Sequence, residues 1–246
     1  MRHLSNAPIV EALIDVRTVP AAGLDFERLR HAFEADDFGY YVKGPITEGF
    51  LALELQADGL AKQSNSEATR VGLRLHSRDE KYVLQCRLGG FTLSRLQPYE
   101  DWHTLQEEAR RLWQLYCQRL DPAFVTRIAT RFINNLRLPL DNNQSFQKYV
   151  VKLLDLPAGV PQHVIEFFQR FVLWDREVGG TVALTIALSE APTEGRYPVI
   201  LDIDAFITTE IKPCDPALWD NLTNLRAAKN RAFFGTVTDA AMELYT

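Results

Sequence analysis

One arrangement of hydrophobic landmarks runs through this chain twice. Val71-Gly72-Leu73, Tyr82, Phe91 and Trp102 precede a long helical stretch, and Val182-Ala183-Leu184, Tyr197, Phe206 and Trp219 precede another. Tyr82 to Phe91 and Tyr197 to Phe206 are both nine residues, whereas the flanking gaps differ, as loops between fixed elements do. Such a pattern favours two related halves, residues 1–121 and 122–246, fused into one body.

Within each half, side-chain periodicity separates strands from helices. From Pro8 to Arg17 the apolar Val10, Ala12, Ile14 and Val16 alternate with Glu11, Leu13, Asp15 and Arg17, the mark of a half-buried strand. Asp25 is placed to cap a helix carrying Phe26, Leu29 and Phe33. Strands are predicted over Gly49–Gln56, Thr69–Ser77 and Lys81–Leu96, the last bent by a bulge at Gly89-Gly90, and a long helix runs from after Pro98 to Leu120. The second half repeats the order. It has a strand over Phe124–Leu138, a helix over Ser145–Leu154, strands over Val164–Trp174, Thr181–Ser189 and Pro198–Thr208, and a closing helix after Asp215-Pro216, broken near Gly235. The expected class is α+β: two strand–helix–three-strand–helix units forming one large antiparallel sheet, open or curved toward a barrel, with helices on one side.

Composition removes several functional classes. Of 246 residues, 46% are apolar and 24% charged, enough for a substantial core and too ordinary for long disorder. No window offers the run of about 20 apolar residues that a membrane helix needs, and the start has no signal-peptide core, so a cytoplasmic protein without membrane contact is expected. Net charge is −5 and neither half is basic, which argues against a large phosphate-binding surface. Cys86, Cys117 and Cys214 show no metal-ligand spacing and read as small buried or loop residues. There is no Gly-rich phosphate loop, no nucleophile elbow and no Cys–His pair, so nothing in the sequence calls for a cofactor or for nucleophilic catalysis.

Asn6-Ala7-Pro8-Ile9-Val10-Glu11-Ala12, the Tyr99–Trp113 segment with its two tryptophans, the Arg127–Asn135 run RIATRFINN and the Trp219–Phe234 stretch together resemble an uncharacterised bacterial family, known chiefly for its sporadic distribution across unrelated genomes. The resemblance spans Asn6 to about Tyr245 and implies an accessory, horizontally exchanged gene of mobile-element conflict or phage defence. It brings no catalytic residues.

If helices cover the apolar face of the sheet, the polar residues of many strands share the other face. That shared face is where function is expected. Arg127, Arg131, Asn134, Asn135 and Arg137 concentrate the planar donors suited to phosphate, carboxylate or base-edge recognition, with Arg74 and Arg87 contributing from other strands. Against this stands a structural alternative, in which Arg127 and Arg131 pair across strands with acids such as Glu11 and Asp15. Asp202 and Asp204, two apart on one strand, are candidate ligands for a divalent cation if Glu11 or another acid converges on them, as in a tunnel-type metal-dependent phosphohydrolase. The aromatics Phe124, Phe132, Phe167, Phe168, Phe171 and Trp174 suit either base stacking or the core, with the core expected for most. Arg226, Lys229 and Arg231 read as a solvated strip on the last helix. The sequence favours a binding or regulatory component that engages a protein partner, or a second copy of itself, through the polar sheet face or the groove between halves. Nucleotide or nucleic-acid recognition through Arg127, Arg131 and Asn135 is the alternative.

Overall fold

A computed structural model describes residues 4–34, 37–49, 51–55, 61–65, 68–140, 143–151, 159–160, 164–188 and 193–246, with the side chains of 51–55, 61–65 and 143–145 left aside. Its elements, in chain order, are β1 (Ile9–Val19), α1 (Phe26–Glu34), β2 (Tyr40–Glu48), β3 (Leu51–Leu55), β4 (Ala61–Asn65), β5 (Thr69–Ser77), β6 (Tyr82–Arg87), β7 (Gly90–Leu96) and α2 (Trp102–Leu120). There follow β8 (Phe124–Leu138), α3 (Asn143–Tyr149), β9 (Phe167–Asp175), β10 (Gly180–Leu188), β11 (Tyr197–Ile211), α4 (Ala217–Thr236), α5 (Asp239–Met242) and a final 3₁₀ turn. Nine strands form one antiparallel sheet in the order β2-β5-β6-β7-β1-β8-β11-β10-β9, and β3 and β4 form a separate hairpin. The sheet is open, ending at β2 and β9, so the barrel alternative does not hold.

The sheet forms because alternation runs through almost every strand. Ala12, Ile14 and Val16 of β1, Ile128 and Phe132 of β8, and Leu201 and Ile203 of β11 all point to one side, where the helices pack. Helix α2 is anchored by Asp101, whose carboxylate accepts the Thr104 amide at 2.9 Å. Its buried stripe meets β7 through Phe91, Trp113 and Tyr116, whose ring centroids lie 5.4–6.0 Å apart. Asp25 caps α1 as expected, accepting the Arg28 amide at 2.8 Å.

The two halves meet along β1 and β8. From this central pair outward the strand order is alike on both sides: first strand, last strand, then the preceding ones. The landmark repeat itself does not carry over. Tyr82 and Phe91 stand on two strands of a hairpin, β6 and β7, whereas Tyr197 and Phe206 lie along the single strand β11. A duplication is therefore not established by that spacing.

Other expectations need correction. Gly89-Gly90 is no bulge but the β6–β7 turn and the first residue of β7. Strand β2 is not among the expected strands: Gly44-Pro45 interrupts its pattern, yet proline is tolerated on an edge strand. Strand β4 carries no apolar alternation. Helix α4 continues through Gly235 to Thr236. The strand expected to reach Gln56, the helix expected to reach Leu154 and the strands expected to start at Val164 and end at Ser189 correspond to β3, α3, β9 and β10; Gln56, 152–154 and Ser189 lie outside the described residues.

The strip on α4 is solvated only in part: Arg231 is exposed and Arg226 half-buried, but Lys229 is not solvated. Arg231 pairs with Asp175 at 2.7 Å, Arg226 lies 5.7 Å from the Trp102 ring, and Lys229 is buried with its amine 3.7 Å from the Phe132 ring centroid. Burial pushes the Lys229 amine down to about 7, with Arg226 adding to the shift. The unfolded chain keeps this lysine charged up to its ordinary 10.5, so above pH 7 the unfolded state holds the extra proton and stability rises with pH. Lys229→Met is expected to stabilise the protein at neutral pH, by roughly 1.4 kcal/mol for each unit of depressed pKa, and to flatten that rise. Urea unfolding of both proteins across the window checks it.

Candidate functional site

The helices α1, α2 and α4 all pack on the same side of the sheet, so the opposite face of the central strands is free of helices among the described residues. Register places its side chains in rows. One row runs Thr181, Phe206, Ala129, Asp15, Thr92, Gln85, Arg74, and a neighbouring one Ala183, Asp204, Arg131, Leu13, Ser94, Val83, His76. The expectation that the polar faces of the strands share one surface holds for these residues.

At its centre is a carboxylate surrounded by arginines. Asp15 is 6% exposed; it accepts from Arg127 Nη1 at 3.0 Å, Arg87 Nη2 at 3.0 Å, Arg17 Nε at 3.1 Å and Thr92 Oγ1 at 2.6 Å. Arg127 reaches the other way to Asp204, at 2.9 Å, and lies 4.3 Å from the Phe206 ring. It thereby ties β1, β8 and β11 together. Arg131 grips Asp202 with two parallel bonds of 2.8 and 2.6 Å. Arg87 also bonds Thr92 and, at 3.2 Å, Gln85, while its Nε is buried without a partner.

Glycine makes this packing of long side chains feasible. A further row reads Gly72, Arg87, Gly90, Arg17, Arg127 across five strands. A Cβ at Gly72 would stand 2.4 Å from the Cys86 carbonyl and 2.9 Å from Arg87 Cγ, and one at Gly90 would stand 2.9 Å from the Val16 carbonyl and 3.1 Å from Arg17 Cδ. The arginine stems therefore lie across bare backbone. That is the physical role of Gly90.

Burial and charge act on these groups in opposite senses. The Asp204 carboxyl is pushed up by burial, which outweighs the pull of Arg127 and Arg131. Arg131 is held up by its bond to Asp202, and Arg87 is lowered by burial and then by neighbouring Arg17.

The sequence candidates do not converge on one ligand. Arg87, Arg127 and Arg131 each face a carboxylate, Arg131 pairing with Asp202 rather than with Glu11 or Asp15. Arg74 is exposed on β5, four strands from β8 and so roughly 19 Å away by strand spacing. Asn135 shares the face four residues along from Arg131, roughly 13 Å, with its Oδ1 buried and unpartnered. Asn134 points to the helix side, where its amide donates to the Leu201 carbonyl at 2.9 Å. Arg137 is exposed near the end of β8.

Asp202 and Asp204 do share a face, but Glu11 lies in the row of Asp202 with Ile133 between them, about 10 Å away by strand spacing. Among the described residues no group of three or more His, Cys, Asp and Glu is arranged to hold a metal. A cavity of about 740 Å³ opens instead beyond the end of α2, lined by Trp113, Cys117, Asp121, Lys212, Cys214 and Trp219 among others, and no candidate residue lines it.

Thr92, Ser94 and Phe206, which complete the face, were missed by sequence reasoning. Their signal was available in the alternation of β7 and β11 once each strand is bounded. Phe132 proves to be core, whereas Phe168 and Trp174 stand exposed on the open face at β9.

No family model matches the chain, and no curated protein matches it.

Removing the shared carboxylate is expected to cost far more than removing an outlying arginine. Asp15→Ala leaves three guanidinium groups around a buried gap and should lose about 3 kcal/mol or more, whereas Arg131→Ala, whose side chain is 43% exposed, should lose about 1 kcal/mol or less. Chemical denaturation of the two variants measures the contrast.

Proposed function

We propose that this chain is a protein-binding or regulatory component of an accessory bacterial system, cytoplasmic in location, that engages a protein partner through the open face of its sheet. The observation that carries this reading is the state of the arginines. Arg87, Arg127 and Arg131 are already matched to Asp15, Asp204 and Asp202, so these three do not form a preformed cationic pocket for a nucleotide among the described residues. What it does offer is a broad, ordered surface. The half-buried Leu13, Ile133 and Ile200 lie between fixed charges, the mixture of apolar area and satisfied polar groups that protein interfaces use. A paired lattice also loses little side-chain entropy on docking, because its long side chains are already held.

Two measurements test the reading. Thermal melting with ATP or GTP, with and without Mg²⁺ or Mn²⁺, should show no shift in Tm, since a site-specific ligand stabilises by mass action. A partner captured on the wild-type chain should be lost on Thr185→Arg, which adds bulk and charge to the open face on β10 without touching the Asp15 cluster. A nucleotide-dependent rise in Tm that Arg131→Ala abolishes would overturn the proposal in favour of nucleotide recognition.

A further inference from the structure

The two ends of the sheet are built in opposite ways. Strand β2 carries the devices that keep an edge from pairing: Gly44, Pro45, the charge of Lys43, and register shifts at Val42/Gly44 and Ile46/Thr47. Strand β9 carries none of the backbone devices. All nine of its residues pair with β10 in unbroken register, it has no proline, glycine or bulge, and among the described residues β10 is its only neighbouring strand. Its side chains are exposed on both sides of the sheet. Phe168, Val172 and Trp174, at 70%, 59% and 67%, lie on the open face, and Leu173, at 49%, on the other. Of its two charges, Asp175 is held by Arg231, leaving Arg170.

We infer that β9 pairs antiparallel with β9 of a second copy of this chain, joining two sheets into one across a twofold axis. The sequence of the strand is self-complementary in that arrangement. With Phe171 on the axis, Phe168 stands opposite Trp174 of the copy twice over, Arg170 opposite Val172, and Gln169 opposite Leu173. Directly opposed residues share a face, so each aromatic pair forms on the open side, where both rings are otherwise bare. The exposed parts of Phe168, Val172, Leu173 and Trp174 come to roughly 500 Å² per chain, to which the backbone edge adds. Edge pairing covers the flanks of these side chains and not their outward faces, so the contact is smaller than the roughly 800 Å² per partner of a standard interface and the dimer should be weak, with a Kd of about 1–100 µM. A heterologous strand would gain the backbone bonds but not the reciprocal aromatic pairs. The inference is independent of the partner proposed above.

Sedimentation velocity from about 1 µM to about 100 µM is expected to show a monomer–dimer equilibrium for the wild-type chain and a monomer throughout for Val172→Lys, with the circular dichroism melt unchanged. Phe171→Cys in a Cys214→Ser background should form a disulfide-linked dimer on mild oxidation, because residues opposed on the axis have Cα atoms about 4.5–5.5 Å apart. A wild-type chain that stays monomeric over the whole range overturns the inference. So does a dimer that survives Val172→Lys, or one in which a folded Phe171→Cys chain fails to cross-link.

Discussion

The carboxylate of Asp15 holds together what the chain's order would otherwise leave apart. It lies on β1, yet its partners come from β1, β6, β7 and β8. Each partner reaches it only at the observed register. A slip of one residue between β1 and β8 would put Asp15 and Arg127 on opposite faces of the sheet, and a slip of two would part Arg127 from Asp15 while leaving it beside Asp204 on β11. Apolar alternation alone tolerates the second slip. The charge lattice does not, and it therefore sets the alignment of the two halves more sharply than the core beneath it.

Where the sequence was legible, a single physical period governed the segment. The bounds of β5 and β8 were readable to the residue, because Leu73 and Leu75, or Ile128 and Phe132, alternate cleanly with arginines. The α+β class and the shared polar face followed from the same alternation. Where two influences competed, the reading failed. Gly89-Gly90 looked like a bulge, although Gly90 opens β7 and leaves room for the Val16 carbonyl and Arg17, and no strand was expected around Pro45, which lies in the edge strand β2. Lys229 looked solvated by type, while its neighbours Leu225 and Phe233 on α4 are buried.

The candidate site was legible in membership and not in pairing. Arg127, Arg131, Asp202 and Asp204 do share one surface, and pairing of Arg127 with Asp15 was among the structural alternatives. Which acid meets Arg131 depends on β11 lying next to β8, a fact of strand order that no local pattern encodes. The repeated aromatic spacing shows the same limit from the other side. Equal separations along the chain were realised as a hairpin in one half and a straight run in the other.

Helix α2 belongs by sequence to the first half but is fastened to the second. Tyr99 and Trp102, at its start, pack on Phe132 of β8; Arg110 covers the Trp219 ring, and the Trp113 indole donates to the Pro213 carbonyl at 3.0 Å. Neither half can loosen without uncovering rings of the other. Denaturation should therefore strip the molecule in a single cooperative step, and a fragment cut at Asp121 would expose aromatic surface that belongs against its missing counterpart.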